Sequence, residues 1–193
     1  ALTAVLGASF VGVQNANAQA TENLQATAQF QTALVTNKAA DMDFSTIGVL
    51  VNPPTAGTAQ LNTDGSIVYD STELDGSGVG TAGLVEITDG SLSVDIDIFC
   101  DDTATLEAGS GNTIDVEDVG FDFNAATTSV GANDCVDQST AAATVQETGS
   151  FPSNINFGGI LKGSTIAGTF EPEGFYDSGS AGGDNILVTV SYN

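Results

Sequence analysis

The segment from Leu92 to Phe99 (LSVDIDIF) alternates residue by residue: Leu92, Val94, Ile96 and Ile98 on one face, Ser93, Asp95 and Asp97 on the other. A period of two is what a strand with one buried face requires, and it fits no helix. A slip of one residue would bury the aspartates, so the register of this strand is firmly set. Leu84–Thr88 precedes it across Asp89-Gly90, a dipeptide suited to tight turns, which predicts a hairpin. Short apolar runs separated by turn residues recur along the chain, and no window of helical length shows a 3.6-residue period. About ten strands at this spacing predict an all-β fold. The expected architecture is an antiparallel β-sandwich of immunoglobulin-like or jelly-roll type.

Other segments fit the same pattern. Thr21–Thr36 sets Leu24, Ala26, Ala28 and Phe30 against polar neighbours and reads as a strand broken by Asn37-Lys38. Met42 and Phe44 point the same way in the next segment, which Pro53-Pro54 closes because neither proline can donate in a ladder. Ala59–Leu61 and Ser66–Tyr69 flank Asn62-Thr63-Asp64-Gly65, a second hairpin turn. Asp75–Gly83 is a glycine-rich loop, without the Gly-Lys-Ser/Thr or following helix of a phosphate cradle. Thr113–Val116 and Val119–Phe123 alternate out of phase across Glu117-Asp118, which predicts a bulge or short turn there. Ala125–Ala143 is low in pattern and reads as a loop. Further strands are expected at Thr144–Gln146, Ile155–Leu161, Thr165–Phe170 and Ile186–Asn193.

Chemistry narrows the function. The chain carries 25 acidic residues against two basic ones, Lys38 and Lys162, for a net charge of −23. Nothing here could neutralise phosphates, so nucleic acid is excluded as a partner and anionic membrane surfaces are disfavoured. With no His and no Arg, neither a Ser-His-Asp triad nor an arginine clamp can be built. The two lysines read as solvated strand-end charges that discourage edge pairing. Carboxylate pairs for glycoside hydrolysis would want aromatic platforms, and the chain has three Tyr and no Trp. The chain reads as no enzyme. Cys100 and Cys135, the only cysteines, each lie beside acids that raise a thiol's pKa. They read as one disulfide bracing the central loop, which implies an oxidising compartment outside the cytoplasm. No cofactor is expected. Asp101, Asp102, Asp115, Glu117 and Asp118 are weak calcium candidates, since they offer hard oxygen ligands without a calcium-loop spacing.

The first twenty residues are of another kind. Residues 1–20 hold no charge, and their apolar run leads into Ala16-Asn17-Ala18-Gln19-Ala20. That pattern fits the core of a secretory signal with cleavage after Ala20, and it is too short to span a membrane as a helix. It also fits an arm that docks into a neighbouring subunit, and that is the reading preferred. As a strand, the arm sets Leu2, Ala4, Leu6, Ala8 and Phe10 on one face and Thr3, Val5, Gly7, Ser9, Val11 and Val13 on the other. Neither face suits water. The expected organisation is therefore an apolar arm, 1–20, and a sandwich domain, 21–193.

Three motifs carry a resemblance: Ala26-Thr27-Ala28, Asp41-Met42-Asp43-Phe44-Ser45-Thr46-Ile47 and Val188-Thr189-Val190-Ser191-Tyr192. With them the chain resembles a bacterial secreted family of unknown function that shares an Ala-Thr-Ala-rich first strand, Asp-x-Asp-Phe-Gly-Thr-Ile and a closing Val-Thr-Val-x-Tyr. The resemblance implies an exported, pilin- or adhesin-like sandwich without catalytic residues. Ser45 stands where that family has Gly, so the backbone there need not adopt a glycine-only shape. The penultimate Tyr192 also looks like that of chaperone–usher pilins, whose N-terminal donor strand completes the next subunit.

These readings converge on an extracellular structural subunit that assembles head to tail with itself. Leu2, Val5, Leu6, Phe10 and Val11 are the candidate plugs of the donor arm. Ile186, Val188, Val190 and Tyr192 are the candidate acceptor or neighbouring core strand. The rival expectation is a secreted adhesin or carbohydrate-binding module with a glycan ligand, since sandwiches host both.

Overall fold

A computed structural model of the chain describes residues 30–50, 57–70, 72–108, 110–162 and 174–193. The chain divides into two units, Ala1–Phe30 and Gln31–Asn193; the fold described is that of the second. The described residues contain strands and no helix. The protein is an antiparallel β-sandwich.

Two long strands form its spine. β9 (Thr113–Phe123) and β12 (Ser153–Lys162) pair antiparallel from Ile155↔Phe123 to Leu161↔Val116. On the far side of β12 lie β6 (Gly83–Asp89) and then β3 (Thr58–Leu61), with β4 (Ile67–Tyr69) hairpinned onto β3. On the far side of β9 lie β8 (Ala104–Ala108) and, further along, β10 (Asn133–Asp134). β1 (Val35–Ala40) and β13 (Tyr176–Asp177) close the two ends, in the order β1-β6-β12-β9-β8-β13. A narrower sheet of β11 (Ala143–Gln146), β7 (Asp95–Cys100) and β14 (Val188–Tyr192) lies in that order, and β2 (Ile47–Val49) pairs with β5 (Leu74–Gly76). Ile96, Ile98 and Cys100 of β7 join Ile87, Phe121 and Ile155 of the large sheet in one core cluster. Their burial supplies the main stabilisation of the fold.

The phase break in β9 is a bulge. Ile114 and Val116 face the core before it, Val119 and Phe121 after it, and the inward face changes parity between them. Two steps on β12 (Gly158 to Ile160) stand against three on β9 (Gly120 to Glu117). Asp118 absorbs the extra residue at φ 51°. On the outer face of the spine, residues 124–132 lie against Gly158, where an added Cβ would come within 2.9 Å of the Val130 Cα. That close approach requires glycine.

Several expectations are corrected. β6 and β7 form no hairpin, because they belong to different sheets. Residues 90–94 cross between the sheets instead, with Ser93 at φ 58° and Leu92 turned outward, 46% exposed. The alternation of Asp95–Ile98 placed its side chains correctly, but a strand's period does not say which sheet it joins. Asn37 and Lys38 continue β1, paired with Glu86 and Val85, and do not break it. Phe30 is exposed, while Leu24, Ala26 and Ala28 lie outside the described residues, as do Pro53, Pro54 and Thr165–Phe170. Asp75 and Gly76, read as loop, belong to β5. Lys162 is no simple solvated charge: its Nζ lies 2.7 Å from both Glu117 Oε2 and Asp118 Oδ2, across the bulge. Ser45 takes the left-handed shape, φ 56°, with its N–H donated to Asp43 Oδ1 at 2.7 Å. A short local hydrogen bond of this kind lets a non-glycine residue hold the conformation.

Candidate functional site

Among the described residues, the three-stranded sheet is too narrow to lie over the whole of the wide one. An apolar groove of about 930 Å³ remains over the inner face of the large sheet, and every strand from β1 to β13 on its main path contributes to the lining. The floor includes Val85, Leu106, Ile114, Val116, Phe157 and Leu161. Phe121 and Ile155, further along β9 and β12, do not line it; Ile114, Val116, Phe157 and Leu161 do, and they are themselves buried members of the same core cluster, so the groove is a recess in the core. One wall is Met42, Phe44, Ile47 and Val49, the other Ile186 and Val188. The bordering polar residues, among them Asp41, Asp43 and Asp177, are exposed. Lys38 and Asp41 form an exposed ion pair of 2.7 Å there, which contributes little to stability.

The second wall leads into an edge. β14 pairs with β7 from Val188↔Cys100 to Tyr192↔Ile96, and among the described residues no strand pairs with its other side. Its inward residues record this. Ile186, Val188, Val190 and Tyr192 are all half-buried against the core, whereas Ile96, Ile98 and Cys100 on the central strand are fully buried. An edge strand with apolar side chains and free backbone groups is a template for another strand.

The start of β14 is anchored from behind. Cys100 and Cys135 form the expected disulfide, S–S 2.05 Å and Cα–Cα 5.1 Å. Asp101 Oδ2 accepts the Leu187 N–H at 2.9 Å, and Asp101 Oδ1 accepts Gln138 Nε2 at 3.2 Å. The end of β14 is anchored differently. Tyr192 Oη accepts the Ser91 N–H at 2.5 Å and donates to the Thr32 carbonyl at 2.7 Å. Of the four acceptor candidates, Ile186 and Val188 therefore face the groove, while Tyr192 clasps the segment that enters β1. The donor-arm candidates Leu2, Val5, Leu6, Phe10 and Val11 lie outside the described residues.

The calcium candidates fall in different places. Asp101 is engaged as above, Asp115 Oδ1 accepts Thr105 Oγ1 at 2.9 Å, and Glu117 and Asp118 hold Lys162. Asp102 follows Asp101 directly, and its carbonyl accepts the Val119 N–H at 3.1 Å. Among the described residues no three acidic, His or Cys side chains converge as a metal-holding group.

Two buried carboxylates escaped the sequence reading. Asp122 accepts Thr63 Oγ1 at 2.6 Å, Thr127 Oγ1 at 2.7 Å and the Ala132 N–H at 2.9 Å. Burial pushes its pKa up, but these three donors outweigh it, and the net shift is below the usual aspartate value. Glu147 accepts Ser153 Oγ, the Gly149 N–H and Asn124 Nδ2. The Ser153 hydroxyl does most to hold its carboxyl below the ordinary range. Both are structural ties between loops and spine, away from the groove. In the sequence, Asp122 sits inside an alternating run and looks like any outward aspartate; only the loop folded over that face reveals its burial.

The fold and groove define a class: an antiparallel β-sandwich in which, among the described residues, one sheet is narrower than the other and an apolar groove lies between them. Compared with known proteins, this chain matches no family model, no curated protein and no solved structure.

Proposed function

We propose that this protein is a structural subunit of an extracellular filament, polymerising head to tail as the arm of one copy enters the groove of the next. The observation that carries the reading is the apolar groove running up to the edge of β14 that no described strand pairs. A strand laid there would gain backbone hydrogen bonds from the edge and bury side chains on the floor. The residues before Thr21 have the composition of such a strand: twenty without a charge, in a chain of net charge −23. Because the inserted strand comes from another copy, the contact does not close on itself and grows a fibre. The Cys100–Cys135 disulfide supports placement outside the cytoplasm.

Negative-stain micrographs of the purified chain, compared with a version beginning at Thr21, test the proposal. The full chain is expected to form filaments and the shortened chain to stay monomeric. If both are monodisperse monomers, the filament reading falls, and a glycan-binding surface module becomes the reading to pursue.

A further inference from the structure

We propose that the arm enters the groove with Leu2, Leu6 and Phe10 turned inward and with Thr3, Val5 and Ser9 turned out, an assignment that rests on the donor-arm reading. The alternation of the arm leaves both faces open, and the groove discriminates between them. Its floor residues Val85, Leu106, Ile114, Val116, Phe157 and Leu161 carry no side-chain donor or acceptor. Their strands are already paired on the sheet: Val85 stands opposite Lys38 and Ile155, and Val116 opposite Ala104 and Leu161. A Thr3 or Ser9 hydroxyl set on this floor would lose its water and find no replacement among these six residues; the polar groups of the groove, Asp41, Asp43 and Asp177 among them, stand at its exposed border. The opposite face brings only carbon to the floor. Its bulky members recur every fourth residue, with Ala4 and Ala8 between them. That spacing leaves gaps for the half-buried Ile186 and Val188 of the groove wall to fill. The outer face, with Thr3, Gly7 and Ser9 beside Val5, Val11 and Val13, would then meet solvent; it is the less apolar of the two.

The native cysteines are both in the disulfide, so a single added thiol is the only one free to react. Full-length Leu6→Cys and Val5→Cys chains are labelled with a maleimide, once dilute and unassembled and once after assembly. Leu6→Cys is expected to label about tenfold more slowly or worse once assembled, because a thiol reacts only where it is exposed. Val5→Cys is expected to label at nearly the same rate in both states. Leu2→Cys and Thr3→Cys repeat the comparison, in case a change at position 5 or 6 prevents assembly. Protection of Val5 and Thr3 instead of Leu6 and Leu2 would overturn the assignment of faces and leave the donor arm standing. Protection at all four positions would overturn it as well, since the arm would then be sealed on both sides. Equal labelling before and after assembly at all four would overturn the assignment together with the donor arm itself.

Discussion

Asp122 shows how much of this fold depends on single buried polar groups. Its carboxylate joins the turn after β3, the loop over the outer face and β9, and it is 4% exposed. Asp122→Ala leaves two hydroxyls and one N–H without their acceptor, and should cost roughly 2–3 kcal/mol at neutral pH by urea denaturation. The pH dependence follows from the direction of the shift. A carboxyl with a depressed folded pKa stabilises the protein above its unfolded value, near 4, and that contribution is lost as pH falls through the folded pKa. The gap between wild type and Asp122→Ala should therefore be widest above pH 5 and narrow below pH 4; a gap that widens in acid would contradict the network. At Ser45 the sign is reversed. Its left-handed φ of 56° carries a steric cost that glycine would not. Glycine loses more chain entropy on folding, but Ser45→Gly should still raise stability by about 0.5–1 kcal/mol in the same assay.

Among the elements, what the sequence made legible was local. The turn at Asn62–Gly65, the bulge at Glu117-Asp118 and the inward face of Ile96 and Ile98 all follow from chain neighbours a few residues apart. Which sheet β7 joins depends on residues far along the chain. Its partners are Ala143–Gln146 and Val188–Tyr192, and nothing in Leu84–Phe99 names them. The same limit hid the groove. Its floor strands alternate like those of the rest of the core, and only the width of the opposing sheet shows that a recess of about 930 Å³ lies over part of that face. One long-range tie was legible, because two cysteines have one way to pair. The disulfide closes a loop of 35 residues in sequence and sits directly behind Val188, the residue opposite Cys100 on β14. Replacing both cysteines by Ala should lower stability by about 3–4 kcal/mol, mainly through the freed unfolded chain. The same variant should also assemble more slowly than its stability alone explains, because the groove wall loses its anchor. Wild-type assembly rates in the double variant would show that the staple serves the fold only.

At the scale of the whole molecule, charge and assembly pull in opposite directions. Each subunit carries −23, so two copies repel before any contact forms. The repulsion reaches about 30 Å at 10 mM salt and about 8 Å at physiological ionic strength. An uncharged arm drawn out as a strand spans about 65 Å over twenty residues, well beyond the screened distance. It can therefore reach a neighbouring groove while the two charged bodies stay apart. The contact proposed for it is apolar side chains plus backbone pairing, neither of which salt weakens. Raising ionic strength from 10 to 150 mM should then increase the initial rate of filament growth by about tenfold or more, measured by light scattering, as expected when like-charged bodies associate. Dissociation on dilution should hardly change, because the joint contains no ion pair to screen. An interface held by Lys38 or Lys162 against the acidic surface would behave the other way, growing slowly and dissolving faster as salt rises. The sign of the salt effect thus separates an apolar joint from an ionic one.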